Sequence, residues 1–85
     1  MNQSQIALLK MFNVHNTPQH VPIEEILENF PDGIQDLKVL LESDLIRPYI
    51  DENYDPKADI MEQLKPGPKL TQKGVDLLLR FRFLL

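Results

Sequence analysis

Side chains able to do chemistry are sparse in this sequence, and their spacing excludes more than it offers. His15 and His20 lie five residues apart across a proline-containing stretch, so they share no helical face, and no cysteine is present to complete a soft-metal ligand set. No metal site is expected. Ser4 and Ser43 stand without a local base and no glycine-rich loop is present to cradle phosphate, so the chain reads as non-enzymatic, with no catalytic residue, cofactor or small-molecule substrate. The nearest approach to a ligand site is acidic: Asp51, Asn53, Asp55, Asp59 and Glu62 fall at positions 1, 3, 5, 9 and 12 of the calcium-loop pattern. Pro56 stands where that loop needs glycine, and Leu45 to Ile50 reads as a strand where the loop needs a helix. A solvated acidic loop is the expectation.

Charge is distributed unevenly. Residues 1 to 44 carry two bases against seven acids and residues 45 to 85 seven bases against six, within a net charge of -4. From Pro22 to Asp44 stand seven acids, Glu24, Glu25, Glu28, Asp32, Asp36, Glu42 and Asp44, and one base, Lys38. From Lys65 to Arg82 five bases meet Asp76 alone. Any contact with nucleic acid is therefore expected toward the C-terminal end, with Lys65, Lys69 and Lys73 as candidate phosphate contacts.

These side chains must be positioned by a core that 85 residues can build, which limits the chain to one domain, residues 1–85. The polar start lacks a secretory pattern and no apolar run approaches the ~20 residues of a membrane span, so a soluble, cytoplasmic protein is expected. Gln5, Leu8, Leu9 and Phe12 repeat at helical spacing and predict a helix over about 3–14. Ile23, Ile26, Leu27 and Phe30 predict a second over 22–30, with Pro22 at its first position. Pro31-Asp32-Gly33 closes it, with Gly33 free to take positive φ and Asp32 able to cap the next helix. Ile34, Leu37, Leu40 and Leu41 predict a third helix over 34–43, turning Gln35, Val39, Glu42 and partly Asp36 and Lys38 outward. Leu45 to Ile50 reads as a strand, at an edge because Pro48 cannot donate to a ladder. Residues 58–64 fit a short helix or an irregular strand equally. Lys65 to Pro68 is a turn, Lys69-Leu70 a short strand, and Thr71 opens a last helix over 71–84. That helix is apolar on two sides, Val75, Leu78, Leu79 and Leu85 on one and Leu77, Phe81 and Leu84 on the other. The first set is expected in the core. Leu77, Phe81 and Leu84 are expected to be covered by a second copy, making a homodimer.

The fold class is thus mainly α with a small β wing. The stretch Ile34 to Ile46 resembles the recognition helix of MarR-type and PadR-type regulators, closing in Leu45-Ile46 as the chain enters the wing. Lys69-Leu70-Thr71-Gln72-Lys73-Gly74-Val75-Asp76-Leu77-Leu78 resembles the Leu-Thr-x-x-Gly-x-x-x-Leu pattern that leaves the wing there. In the second stretch Leu70 plugs the core, Thr71 caps the helix and Gly74 admits close backbone approach. The resemblance implies a winged helix-turn-helix: a three-helix core, a two- or three-stranded wing over about 45–70, and a C-terminal helix. The sequence departs from the pattern at Asp44, where those families carry glycine, and in the length of the wing.

That fold serves DNA and protein partners alike. Gln35 can address adenine and Val39 a thymine methyl, which would make a dimeric transcriptional regulator of double-stranded DNA. The acids Asp36, Glu42, Glu24, Glu25 and Glu28 would face phosphates and repel them. A protein partner meeting the acidic face and the Gln35, Asp36, Lys38, Val39, Glu42 surface is therefore weighed slightly above DNA.

Overall fold

A computed structural model describes residues 2–14, 20–50 and 53–84, apart from the side chains of residues 13, 14 and 81–84. Helix α1, Gln3–Val14, buries Leu8, Leu9 and Phe12 completely, as its apolar spacing predicts. Its start is fixed by a reciprocal pair. The Asn2 side-chain oxygen accepts from the Gln5 N–H at 2.8 Å, and the Gln5 side-chain oxygen accepts from the Asn2 N–H at 3.2 Å. Gln5, which shares the apolar stripe in sequence, is thus spent on capping.

Helix α2, Ile23–Asn29, begins one residue later than its apolar pattern implies. Pro22 is extended (φ -56°, ψ 136°) and precedes the helix as its N-cap, its carbonyl accepting from Glu25 and Ile26. Gly33 differs more from expectation. Its φ is -75°, Gly33 itself stands at the N-cap of α3 (Ile34–Glu42), and no side chain caps that helix. Glycine is needed there for space, since a Cβ would lie 2.9 Å from the Phe30 carbonyl oxygen and 3.4 Å from a Leu8 methyl.

The positive φ falls instead at Asp44, with φ 60°. The Asp44 N–H bonds the Leu41 carbonyl at 3.1 Å and the Leu45 N–H the Leu40 carbonyl at 3.0 Å. This is the pair of bonds that ends a helix on a left-handed residue, normally glycine. Strand β1 (Ile46–Pro48) then pairs antiparallel with β2 (Pro68–Leu70), Ile46 opposite Leu70, Arg47 opposite Lys69 and Pro48 opposite Pro68. Two like charges face each other at the middle pair. Asp44 moderates this from one side, its carboxylate 3.0 Å from the Arg47 guanidinium.

Residues 58–64, equally readable from sequence as helix or strand, contain helix α4, Ile60–Leu64. The Asp59 carboxylate accepts from the Met61 N–H at 2.9 Å, and Leu64 is fully buried as the anchor. Gln63 fastens the preceding loop, accepting from the Asp55 N–H and donating to the Asp55 carbonyl, both at 2.8 Å. The extended residues before α2 run along β2 on the side away from β1. The Val21 N–H donates to the Pro68 carbonyl at 3.1 Å and the Ile23 N–H to the Pro66 carbonyl at 3.0 Å. Neither proline can return a bond, so this third line is paired in one direction only.

Helix α5, Gln72–Leu84, completes the order. Leu78 is buried, while Val75 and Leu77 pack partly against the core. The assembly is mainly helical with one two-stranded antiparallel sheet. Its core draws Leu8, Leu9 and Phe12 from α1, Val21, Ile23 and Ile26 from around α2, Leu37, Leu40 and Leu41 from α3, and Ile46, Leu64, Leu70 and Leu78 from the rest.

Two substitutions separate the backbone constraints from simple propensity. Gly74→Ala would be favoured by about 1 kcal/mol on helix propensity alone. Its Cβ would overlap the Leu45 carbonyl oxygen and the Leu70 side chain, so a net loss of about 2 kcal/mol or more in urea unfolding is expected. Asp44→Gly should do the opposite, raising stability by about 0.5 to 1 kcal/mol by relieving the left-handed residue.

Candidate functional site

The surface of α3 is sorted by the helical repeat. Leu37, Leu40 and Leu41 are buried, and Gln35, Lys38, Val39 and Glu42 lie exposed along the outward stripe. Val39, at 37% exposure, is the only large apolar side chain among the helix's outward positions. Asp36 does not join this stripe. Its carboxylate accepts a hydrogen bond from the Ser4 hydroxyl, which ties α3 to the start of α1.

On α2, Glu24 and Glu28 are exposed and Glu25 is half-buried. Glu24 and Glu25 lie in the first turn, where carboxylates are favoured by the unpaired N–H groups of the helix. Glu28 and Glu42 have no such local reason. Each stands in the last turn of its helix, where a carboxylate meets the carbonyl end, and neither helix has a base in that turn. The cost is about 0.3 to 1 kcal/mol for each at low ionic strength, offset in part at Glu42 by Lys38 one turn before it and by Lys73 at the same helix end.

Glu42 also has an aromatic neighbour from the loop between β1 and α4. Tyr54 is half-buried against the core, and burial first, then the Glu42 and Asp55 carboxylates, push its phenol above the ordinary value of 10.0. The outward stripe of α3 therefore runs at its C-terminal end into the loop between β1 and α4.

Each of the three lysines expected as phosphate contacts has a neighbour within the fold. Lys73 donates to the Ser43 carbonyl at 3.1 Å, placing its charge at the carbonyl end of α3. Lys65 lies 3.4 Å from the Glu62 carboxylate. Lys69 sits 6.0 Å above the ring of Tyr49, whose other neighbour is the His20 ring with centroids 4.7 Å apart. This His20, Tyr49, Lys69 cluster escapes a reading of the sequence because its members are dispersed along the chain, and Tyr49 after Pro48 was its only local signal.

Along α5 the apolar faces divide differently from expectation. Leu77 packs partly against the core, whereas Leu79 is 44% exposed beside exposed Asp76 and Arg80. The core sits closer to the Gly74 and Leu78 side of the helix than the Leu count suggested, because Gly74 must lie against Leu45. Phe81 and Leu84, named with Leu77 as dimer contacts, have side chains outside the described residues. Lys73, Asp76, Leu77 and Arg80 line a cleft of about 230 Å³ with Leu45 at its base.

Two carboxylates of the calcium-like stretch are turned to the backbone. Asp55 accepts from the Lys57 N–H and Asp59 from the Met61 N–H, both at 2.9 Å. His15 and Asp51 lie outside the described residues, among which no group of three or more histidine or carboxylate side chains is placed to hold a metal ion. No described helix is long and apolar enough to cross a membrane.

No protein-family model, curated protein or solved structure matches the chain.

The raised Tyr54 phenol has a pH consequence. The folded chain holds that proton more tightly than the unfolded one, so its contribution is complete below about pH 10 and is lost as pH rises through the folded value. Urea midpoints measured from pH 8 to 11 should therefore fall more steeply in the wild type than in Tyr54→Phe. Equal slopes would show that the phenol is not perturbed.

Proposed function

We propose that this chain is a non-enzymatic winged-helix regulatory module, probing a basic protein surface with its acidic α2 and α3 and joining a second copy through α5. The winged-helix reading is supported by the order of elements and by residues 21–23 running along β2 as a third strand-like segment. It is also supported by the way Leu70, Thr71 and Gly74 are used. Leu70 is buried, the Thr71 hydroxyl oxygen accepts from the Gly74 N–H at 3.0 Å, and Gly74 lies against the Leu45 carbonyl.

The observation that carries the partner is the placement of Glu28 and Glu42. Both are exposed, and both stand where a carboxylate lowers the stability of its own helix. We read these two exposed carboxylates by what they would meet outside the fold. Exposed Glu24 shares α2 with Glu28, and the apolar Val39 and the base Lys38 share α3 with Glu42, a set of exposed residues whose charge is complementary to a basic surface.

Duplex DNA is disfavoured on the same ground. The stripe Gln35, Lys38, Val39 carries base-reading chemistry, but phosphate contact needs cations, and Lys65 and Lys73 are engaged within the fold.

The test couples stability to binding. Glu28→Gln and Glu42→Gln should each raise unfolding free energy by about 0.3 to 1 kcal/mol. Together they should weaken capture of a lysine-rich amphipathic peptide at least about fivefold at low salt. Unchanged capture by the pair, or by Glu24→Lys with Glu28→Lys, would refute the acidic-face reading. Retardation of random duplex DNA at ~50 mM salt, abolished by Lys65→Ala with Lys69→Ala and Lys73→Ala, would move the assignment to DNA.

A further inference from the structure

The exposed side of α5 carries Gln72, Asp76, Leu79 and Arg80. Leu79 is an apolar side chain 44% exposed on one flank of this side, with Asp76 near the middle and Arg80 toward the other flank. The Asp76 carboxylate is steadied on the helix surface by the Gln72 side-chain amide at 3.1 Å. We propose that this side, with Leu79 as its exposed apolar contact, is an antiparallel helix–helix interface with α5 of a second copy, in which Asp76 of each chain meets Arg80 of the other.

The argument is one of self-complementarity. A two-fold interface places the same patch on both sides, so each charged residue must find its opposite within that patch. Asp76 and Arg80 are four residues apart. With the two-fold axis at the level of residue 78, an antiparallel pair sets Asp76 against the other chain's Arg80 twice, flanking the two Leu79 side chains. A parallel pair would set Asp76 against Asp76 and Arg80 against Arg80. The charge order therefore selects one polarity, as flanking charges do along paired helices generally. A foreign helix could match one Asp76 or one Arg80, but the exchange symmetry of the two positions fits a second copy of this chain.

This deepens the dimeric part of the function proposed above and moves its apolar centre. Leu77, which the sequence pattern assigned to the contact, is partly committed to the core, and Leu79 takes its place.

Sedimentation equilibrium of the full chain from about 5 to 200 µM, at low salt, tests the interface. The wild type should fit a monomer–dimer equilibrium. Leu79→Glu, Asp76→Arg and Arg80→Asp should each raise the dissociation constant at least about tenfold, with circular dichroism unchanged because all three positions are exposed. The double variant D76R/R80D should regain the wild-type constant, and an equimolar mixture of the two single charge variants should associate more tightly than either alone. A wild type that remains monomeric throughout overturns the proposal, as does a dimer unaffected by Leu79→Glu. So does a dimer weakened by each charge variant but not restored in the double, since that outcome breaks the reciprocal pairing. Peptide capture by the Leu79→Glu variant, read in parallel, reports the acidic face separately and shows which of the two readings has failed.

Discussion

Most of this fold is organised around one carbonyl, that of Leu45. It accepts from the Thr71 N–H at 3.0 Å and the Thr71 hydroxyl at 3.0 Å, while the hydroxyl also lies 2.6 Å from the Asp44 carbonyl. Gly74 approaches the same oxygen so closely that no side chain fits. The end of α3 and the start of α5 are thus fastened where each would otherwise leave backbone groups without partners. Lys73 adds a bond to Ser43, so successive carbonyls at 43, 44 and 45 are all met by the first residues of α5 and the threonine before it. The left-handed Asp44 is a consequence of this arrangement. The chain must reverse direction immediately after α3 to bring Leu45 and Ile46 into the core, and only a positive φ turns it that sharply.

A second fastening at the other end of the sheet has the same logic with different residues. Val21 and Ile23 donate to Pro68 and Pro66, and Gly67 lies against the Val21 carbonyl, where a Cβ would overlap backbone. Prolines that cannot donate leave their carbonyls as the only means of pairing. The sheet stays narrow for that reason, with Pro48 opposite Pro68 ending its paired register. Two short strands of this kind would be marginal alone, and they hold because α4, α5 and the line before α2 close around them.

What could be read from the sequence was what depends on neighbours in the chain. The stripe Leu8, Leu9, Phe12 and the inward set Leu37, Leu40, Leu41 are local periodicities, and both are buried as their spacing requires. Leu70, Thr71 and Gly74 carry a local capping pattern, and it is used as read. The misreadings all involve distant partners. Gly33 is small because Leu8 and Phe30 approach it, a fact about packing that its turn-like neighbours Pro31 and Asp32 disguise. Asp36 looked outward by its position on α3 until Ser4 of α1 supplied a donor. Leu77 and Leu79 exchange roles because the orientation of α5 is set by the contact of Gly74 with Leu45, which hydrophobic spacing within α5 does not encode. Gln63 carries no sequence signal at all, yet it holds both backbone groups of Asp55.

The same distinction between local and distant needs explains the charge pattern. Cations in the C-terminal half meet partners along the surface of the fold, Lys73 at the end of α3, Lys65 at Glu62 and Arg47 at Asp44, which moderates the repulsion of Arg47 from Lys69 across the sheet. The acids of the N-terminal half divide by position. Glu24 and Glu25 favour the helix they begin, and Asp36 joins two helices. Glu28 and Glu42 remain exposed at the helix ends that disfavour them, and this leaves the outer side of α2 and α3 negative although a neutral residue would serve the fold better. Lys73, Lys65 and Arg47 each meet an acceptor within the fold, whereas Glu28 and Glu42 stand in the helix turns that favour cations. The chemistry of recognition is therefore sought on the acidic side of the molecule, opposite in sign to a surface built for phosphate.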